Sequence, residues 1–260
     1  MGFLTVFPTL LGIVIRATMR FFCSDKFMEI YGCTHQAPAN QRVVPLVAIS
    51  PSKLQTLSQR LPCQSTWLDQ LDFRAQPGEI CFIPTANGNL DQVLFGWDSQ
   101  ASMSDFAQVI PKLPSGTYRL VLDHFEGLNP VNFAKVWGLS CYEFTRYRIA
   151  RKQKPVLLLD CLSKPDRFAL NRILLGTYQV RDWINTPAED YGPADISDQC
   201  YALANRYQAT IHEVIGDDLL QENFPLIHLV GRASNRKPRM ICLRWGNPAH
   251  RHLALIGKGV

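Results

Sequence analysis

From Met28 onward the chain alternates short apolar runs with turn residues and amphipathic stretches, the arrangement of an α/β protein. Val43–Ile49 reads as a strand, and Pro45 inside it predicts an edge strand or a strand end, because proline cannot donate to a ladder. Residues 80–83 and 92–95 flank Asn87-Gly88, which predicts a hairpin, and residues 118–122 add a further strand. Asn129-Pro130 supplies a helix cap and a first-turn proline. Behind it Phe133, Val136, Trp137, Ser140, Cys141 and Phe144 recur at helical spacing, an aromatic stripe that reads as core rather than as a cofactor box. Residues 156–159 form a buried-strand pattern that closes this first domain.

Residues 166–184 predict a long helix with Leu170, Ile173, Thr177, Val180 and Ile184 along one face. It stops at Asn185-Thr186-Pro187, since the residue before a proline avoids the α region. Gly192-Pro193 opens another helix, whose inner face is Ile196, Cys200, Leu203, Ala204 and Tyr207, and Thr210–Ile215 follows as a strand. Residues 240–245 and 253–256, either side of Gly246-Asn247-Pro248, predict two more strands. The expected organisation is an apolar leader (1–27), an N-terminal α/β domain with a mixed sheet (28–164), a connecting helix (165–185) and the incomplete first part of a second α/β domain (186–260). The leader is apolar over residues 3–15 only, with Pro8 inside, no charge before it and Arg16 after it. That suits neither a signal peptide nor a span of about 20 residues, so a start at Met28 is favoured over a membrane tether, and no firm membrane partner is expected.

Composition narrows the class. In 260 residues, 47% hydrophobic side chains and a net charge of +5 exclude disorder and collagen-like structure and permit, without predicting, weak attraction to phosphates. The eight cysteines at 23, 33, 63, 81, 141, 161, 200 and 242 contain no CxxC pair, which excludes zinc knuckles and thioredoxin chemistry. They read as reduced core thiols of a cytoplasmic protein. Arg146, Arg148, Arg151, Lys152 and Lys154, with Tyr147 interleaved, are the densest basic run. Nucleic-acid contact is one reading; a solvated loop complementing a helix C-terminus is preferred. HExxH and GxSxG are absent, and Gly257-Lys258 lacks the residues of a P-loop, with His252 and Gly259 at the positions that matter. His250 and His252 stand two apart, but no neighbouring residue completes a ligand set.

Three segments carry a family resemblance: RDWINTPAEDYGP (181–193), ENFPLIHLVGRAS (222–234) and LIGKGV (255–260). Their order and spacing resemble the leucyl aminopeptidases, the cytosol aminopeptidase family. The resemblance implies a variable N-terminal α/β domain, then a metallopeptidase domain that releases N-terminal residues such as leucine from peptides with two divalent cations, zinc, manganese or magnesium. It assigns one metal ligand here, Lys258, which must bind as the neutral amine. Without the resemblance, Lys258 is a loop lysine between glycines.

The chain departs from the family pattern after GKG: the FD(T/S)GG segment, a second lysine and the NTDAEGR segment, which carry the carboxylate ligands and an arginine, do not occur in it. One amine cannot assemble a site for hard cations, which need several oxygen ligands. The expectation is a chain inactive alone, with no cation bound, no catalytic residue of its own and no hexamer of the family type. It is a broken aminopeptidase, half of an enzyme completed by a complementary C-terminal polypeptide, or a nucleic-acid-binding module using residues 146–154. Residues 253–256 would then expose an apolar strand, leaving the C-terminal third less stable.

Overall fold

A computed structural model of the chain describes residues 31–37, 39, 42–60, 62–98, 101–121, 128–149 and 154–259. The leader and Cys23 lie outside the described residues. The chain divides into two compact units, one up to Val180 and one from Arg181 onward.

The N-terminal unit runs β1 (Cys33–Thr34), β2 (Val43–Ile49), α1 (Pro51–Arg60), α2 (Pro62–Gln70), β3 (Ile80–Pro84), β4 (Leu90–Gly96), α3 (Met103–Ala107), β5 (Gly116–Val121), α4 (Pro130–Ser140), β6 (Pro155–Leu158) and most of α5 (Lys164–Asn185). Its sheet has the order β1-β6-β5-β2-β4-β3, parallel throughout except for the β3–β4 hairpin. The hairpin forms where Asn87-Gly88 predicts it, with Gly88 at φ +78°.

Alternation of side chains covers the sheet on both faces. Val44, Leu46, Ala48, Val93, Phe95, Tyr118 and Leu157 join Phe106, Phe133, Trp137, Leu170, Leu174 and Tyr178 in one cluster. Ile49, Cys81, Ile83 and Leu94 join Leu68, Phe73 and Ala75 in the other. The predicted aromatic stripe is core: Phe133 and Trp137 are fully buried, and the Trp137 indole donates to the Gly32 carbonyl at 2.7 Å. Asn129 caps α4, its Oδ1 accepting from the backbone N–H groups of Val131 at 2.9 Å and Asn132 at 3.2 Å.

Four expectations need correction. Pro45 lies not in an edge strand but in central β2. It is tolerated because β4 joins only at Leu46, so Pro45, opposite Arg119 of β5, sits where β2 is still bordered on one side. The buried face of α5 is Leu170, Leu174 and Tyr178, while Ile173, Val180 and Ile184 are exposed. Aromatic contact selects this face: Tyr178 stacks on Tyr31 and Tyr142, with ring centroids 4.7 and 4.9 Å away, and its hydroxyl donates to the Gly138 carbonyl at 2.6 Å. Helix α4 ends at Ser140, which leaves Phe144 in the following loop. Of the six described free cysteines, Cys33, Cys81 and Cys141 are buried, but Cys161, in the turn after β6, is exposed.

The C-terminal unit contains α6 (Pro193–Tyr207), β7 (Thr210–Ile215), α7 (Asp218–Gln221), α8 (Pro225–Gly231) and β8 (Arg239–Arg244), with β7 and β8 antiparallel. Residues 253–256, expected as a strand, have no regular structure; Leu253, Leu255 and Ile256 are 84%, 88% and 97% exposed. Among the described residues no partner strand meets them, and an apolar run without a ladder has nothing to fix it as a strand. No helix among the described residues is long and apolar enough to cross a membrane.

The crossing of α4 and α5 offers a direct check. A Cβ on Gly138 would stand 2.5 and 2.7 Å from the methyl carbons of Leu174, a side chain with no exposed surface into which to retreat. Gly138→Ala is expected to destabilise the N-terminal unit by about 1–3 kcal/mol, read by urea unfolding of variant and parent.

Candidate functional site

The segments that carry the family resemblance fold within the C-terminal unit. Residues 181–193 form the end of α5, a loop and the first residue of α6. Helix α5 ends at Asn185 as Pro187 requires, and three contacts hold the loop that follows. Trp183 and Tyr191 stack at 6.1 Å with 17° between planes. Arg236 donates to the carbonyls of Ala188 at 2.6 Å and Glu189 at 2.5 Å and pairs with the Glu189 carboxylate at 3.1 Å. The Gly192 N–H donates to Asp195 Oδ2 at 2.8 Å, closing the first turn of α6. A Cβ on Gly192 would lie 2.8 Å from Arg236 Nη1, so a larger residue there would push the guanidinium aside.

Glu213 of β7 is half-buried as a residue, with its side chain 7% exposed, and accepts from Arg239 Nη1 of β8 at 2.8 Å. Burial alone would raise its pKa. Hydrogen bonds from Ser197 and Arg239, the Arg239 charge and a hydrogen bond from Tyr201 outweigh burial and hold the carboxyl below its ordinary 4.5. This explains why Ser197 rather than a larger apolar residue is buried on α6, where Ile196, Cys200 and Leu203 are half-buried and Tyr207 is exposed. Sequence reasoning missed Arg236 and Glu213. Arg236 sits in a run of Arg and Lys with no acid nearby, a pattern that calls for a distant acceptor; Glu213 is one inward position on an alternating strand.

Residues 255–259 follow as exposed chain, and Lys258 is exposed on it. A Cβ on Gly259 would meet Ile196 Cδ1 at 3.0 Å, so the segment passes against α6. Among the described residues no three His, Cys, Asp or Glu side chains gather as a metal would need. Hard divalent cations require several oxygen donors, so the described residues do not by themselves fit a two-cation centre. His250 and His252 are not on a strand, and His252 Nε2 lies 2.9 Å from the Pro248 carbonyl.

The basic run divides. Arg146 and Arg148 lie on an exposed loop, Arg148 pairing with Glu143 at 3.6 Å. Lys154, expected to be solvated, is instead half-buried, donating to the Cys141 carbonyl at the end of α4 at 2.9 Å and pairing with Glu143 at 3.3 Å. It thus complements the helix C-terminus, as one part of the expectation had it. Burial, opposed by the Lys154 charge, pushes the Cys141 thiol up to about 11. Arg151 and Lys152 lie outside the described residues.

Two family models match the chain in order: the M17 aminopeptidase N-terminal domain over residues 44–160 and the catalytic domain of the cytosol aminopeptidase family over residues 178–260. Peptidase B of Pectobacterium carotovorum subsp. carotovorum (strain PC1) is 36% identical over 125 residues, which are 44% of this chain and 28% of that enzyme. The cytosol aminopeptidase of Coxiella burnetii superposes with a TM-score of 0.73 at 30% identity, over 83% of this chain and 46% of that one. The bottromycin maturation enzyme BotP, solved in complex with Mn, shares the fold with a TM-score of 0.57 at 21% identity, over 79% of this chain and 45% of its own. The chain therefore spans half or less of the length of these proteins.

The Glu213 pair makes the C-terminal unit acid-sensitive. A carboxyl whose folded pKa is depressed contributes stability that is present above its unfolded pKa and is lost as pH falls through the folded one. Unfolding of the parent followed downward from pH 5 is expected to show this loss, and Glu213→Gln, less stable at pH 7, is expected to lack that component of the pH dependence.

Proposed function

Because the chain belongs to the M17 cytosol aminopeptidase family, we propose that it supplies the N-terminal domain and the opening of the catalytic domain of a cytoplasmic aminopeptidase, one that releases N-terminal residues from peptides. In this reading residues 28–164 are the N-terminal domain, residues 165–185 the connecting helix, and residues 186–260 the part of the catalytic domain present in the chain. Lys258 is its one contribution to a centre for two divalent cations, manganese, zinc or magnesium. The observation that carries the proposal is the ordered pair of family matches, the second of which contains Lys258.

The chain's own residues define what it does and does not supply. Arg236, Gly192 and the Trp183–Tyr191 stack fix the loop that opens α6, and the contact of residue 259 with Ile196 sets the path of the Lys258 segment. Bound cations would activate water and stabilise the oxyanion of peptide hydrolysis. No carboxylates that would complete their coordination gather among the described residues. In this reading those carboxylates belong to FD(T/S)GG and NTDAEGR segments, the 260 residues alone are inactive, and a complementary polypeptide bearing the segments would restore turnover. The nucleic-acid reading has less support, because Glu143 partly neutralises two of the five charges in the basic run.

The test is a leucyl-anilide assay with Mn. The purified chain is expected to give no turnover, and adding the separately expressed complementary polypeptide is expected to produce it. Lys258→Ala should cut the restored rate by at least about a hundredfold, as loss of a metal ligand would. Turnover by the homogeneous chain alone would contradict the proposal.

A further inference from the structure

The C-terminal unit has a shallow cleft of about 300 Å³ lined by Gly216, Asp217, His228, Gly231, Arg232, Ser234, Lys237 and Pro238. Its walls are held together closely. A Cβ on Gly231 would stand 2.4 Å from the Pro238 Cβ, so only glycine lets the end of α8 approach the strand entry this nearly. That contact sets Arg232 and Lys237, the next residues inward along the chain, on one patch. The Gly216 N–H donates to the Pro238 carbonyl at 2.9 Å, and the stem of Lys237 lies over Gly216, whose φ of +59° makes the turn. Across the cleft His228 Nε2 meets Asp217 Oδ1 at 3.0 Å, and the Asp217 side chain, 96% exposed, is the one carboxylate of the lining.

The charges do not balance. Arg232 and Lys237 have no acidic partner among the described residues, whereas the neighbouring Arg236 and Arg239 are paired with Glu189 and Glu213. The imbalance is written into the chain: residues 223–260 hold seven Lys and Arg and no Asp or Glu. Two cations against one carboxylate in the lining leave the concavity a net positive charge that an anion would neutralise. Arginine presents a planar fork suited to an oxyanion, and lysine a point charge.

We propose that this cleft is a binding site for a phosphate group, either inorganic phosphate or the phosphoryl end of a small monoester. A phosphate carries close to two negative charges at neutral pH and enough acceptor oxygens for Arg232, Lys237 and the Ser234 hydroxyl together. A carboxylate offers half the charge and binds more weakly. The cavity accommodates a phosphate with a small organic substituent. The site is independent of Lys258 and of the aminopeptidase reading.

Inorganic phosphate, phenyl phosphate and acetate are titrated into the full chain at constant ionic strength. Binding is followed by calorimetry and by the ring signals of His228 in NMR spectra. Saturable binding of both phosphates is expected, with the His228 signals moving and acetate at least tenfold weaker. Arg232→Gln and Lys237→Gln, both at exposed positions, should each weaken binding tenfold or more. Arg251→Gln, which removes the same charge outside the cleft, should change it less than twofold. Binding of inorganic phosphate alone would assign the site to the free ion, and binding of both to the phosphoryl group. Equal losses in all three variants, or a response to acetate matching that to phosphate, would overturn the proposal.

Discussion

The N-terminal unit depends on the burial of the Trp137 ring between sheet and helices. The indole has no exposed surface, packs with Phe106, Phe133 and Tyr118 at centroid distances of 5.9–6.3 Å, and uses its one polar atom on the Gly32 carbonyl. Each such ring contributes about 1.5–3 kcal/mol on burial, and aromatic pairing adds roughly 0.5–1.5 kcal/mol. The hydrogen bond to Gly32 ties α4 to the backbone just before β1 and so helps to fix the outer strand. The next residue, Gly138, lets Leu174 reach α4, and its carbonyl receives the Tyr178 hydroxyl. One turn of α4 therefore sets the position of the sheet edge and of α5.

The C-terminal unit is held differently. Its fully or nearly fully buried apolar side chains are few, Ala204, Val214 and Leu219, and its order rests on polar contacts: Glu213 with Arg239, and Arg236 with the loop before α6. Large apolar groups such as Leu226, Val230, Trp245 and Ile256 are exposed. A cation centre demands donors held within tenths of an ångström by packed neighbours. Lys258 lies on an exposed segment whose contact with α6 runs through residue 259, and no such packing surrounds it among the described residues.

Much of this was legible in the sequence. Helix α4 carried its signals locally, in Asn129-Pro130 and the spacing of Phe133 and Trp137, and the β3–β4 hairpin carried its own in Asn87-Gly88. The mixed α/β character and the stop of α5 before Pro187 followed from the same local chemistry. What escaped depends on partners distant in sequence. Pro45 looked like an edge residue because register decides which part of a central strand lacks a neighbour. The face of α5 was misread because Thr177 and Tyr178 fit helical stripes equally well, and only Tyr31 and Tyr142 decide between them. Residues 253–256 have strand composition but no ladder partner among the described residues. At the candidate site Lys258 was singled out through the family motif alone, and its role stays part of the proposed function; Arg236 and Glu213, whose acceptors and donors come from other elements, were not legible.

The proposed function turns on Lys258 being one contribution to a cation centre that these 260 residues do not form by themselves. Native mass spectrometry and calorimetry of the 260-residue chain titrated with Mn test it most directly. The account predicts no stoichiometric tight binding, and the same result for Lys258→Ala as for the parent. Two Mn ions bound per chain with micromolar or better affinity, lost on replacing Lys258, would contradict it.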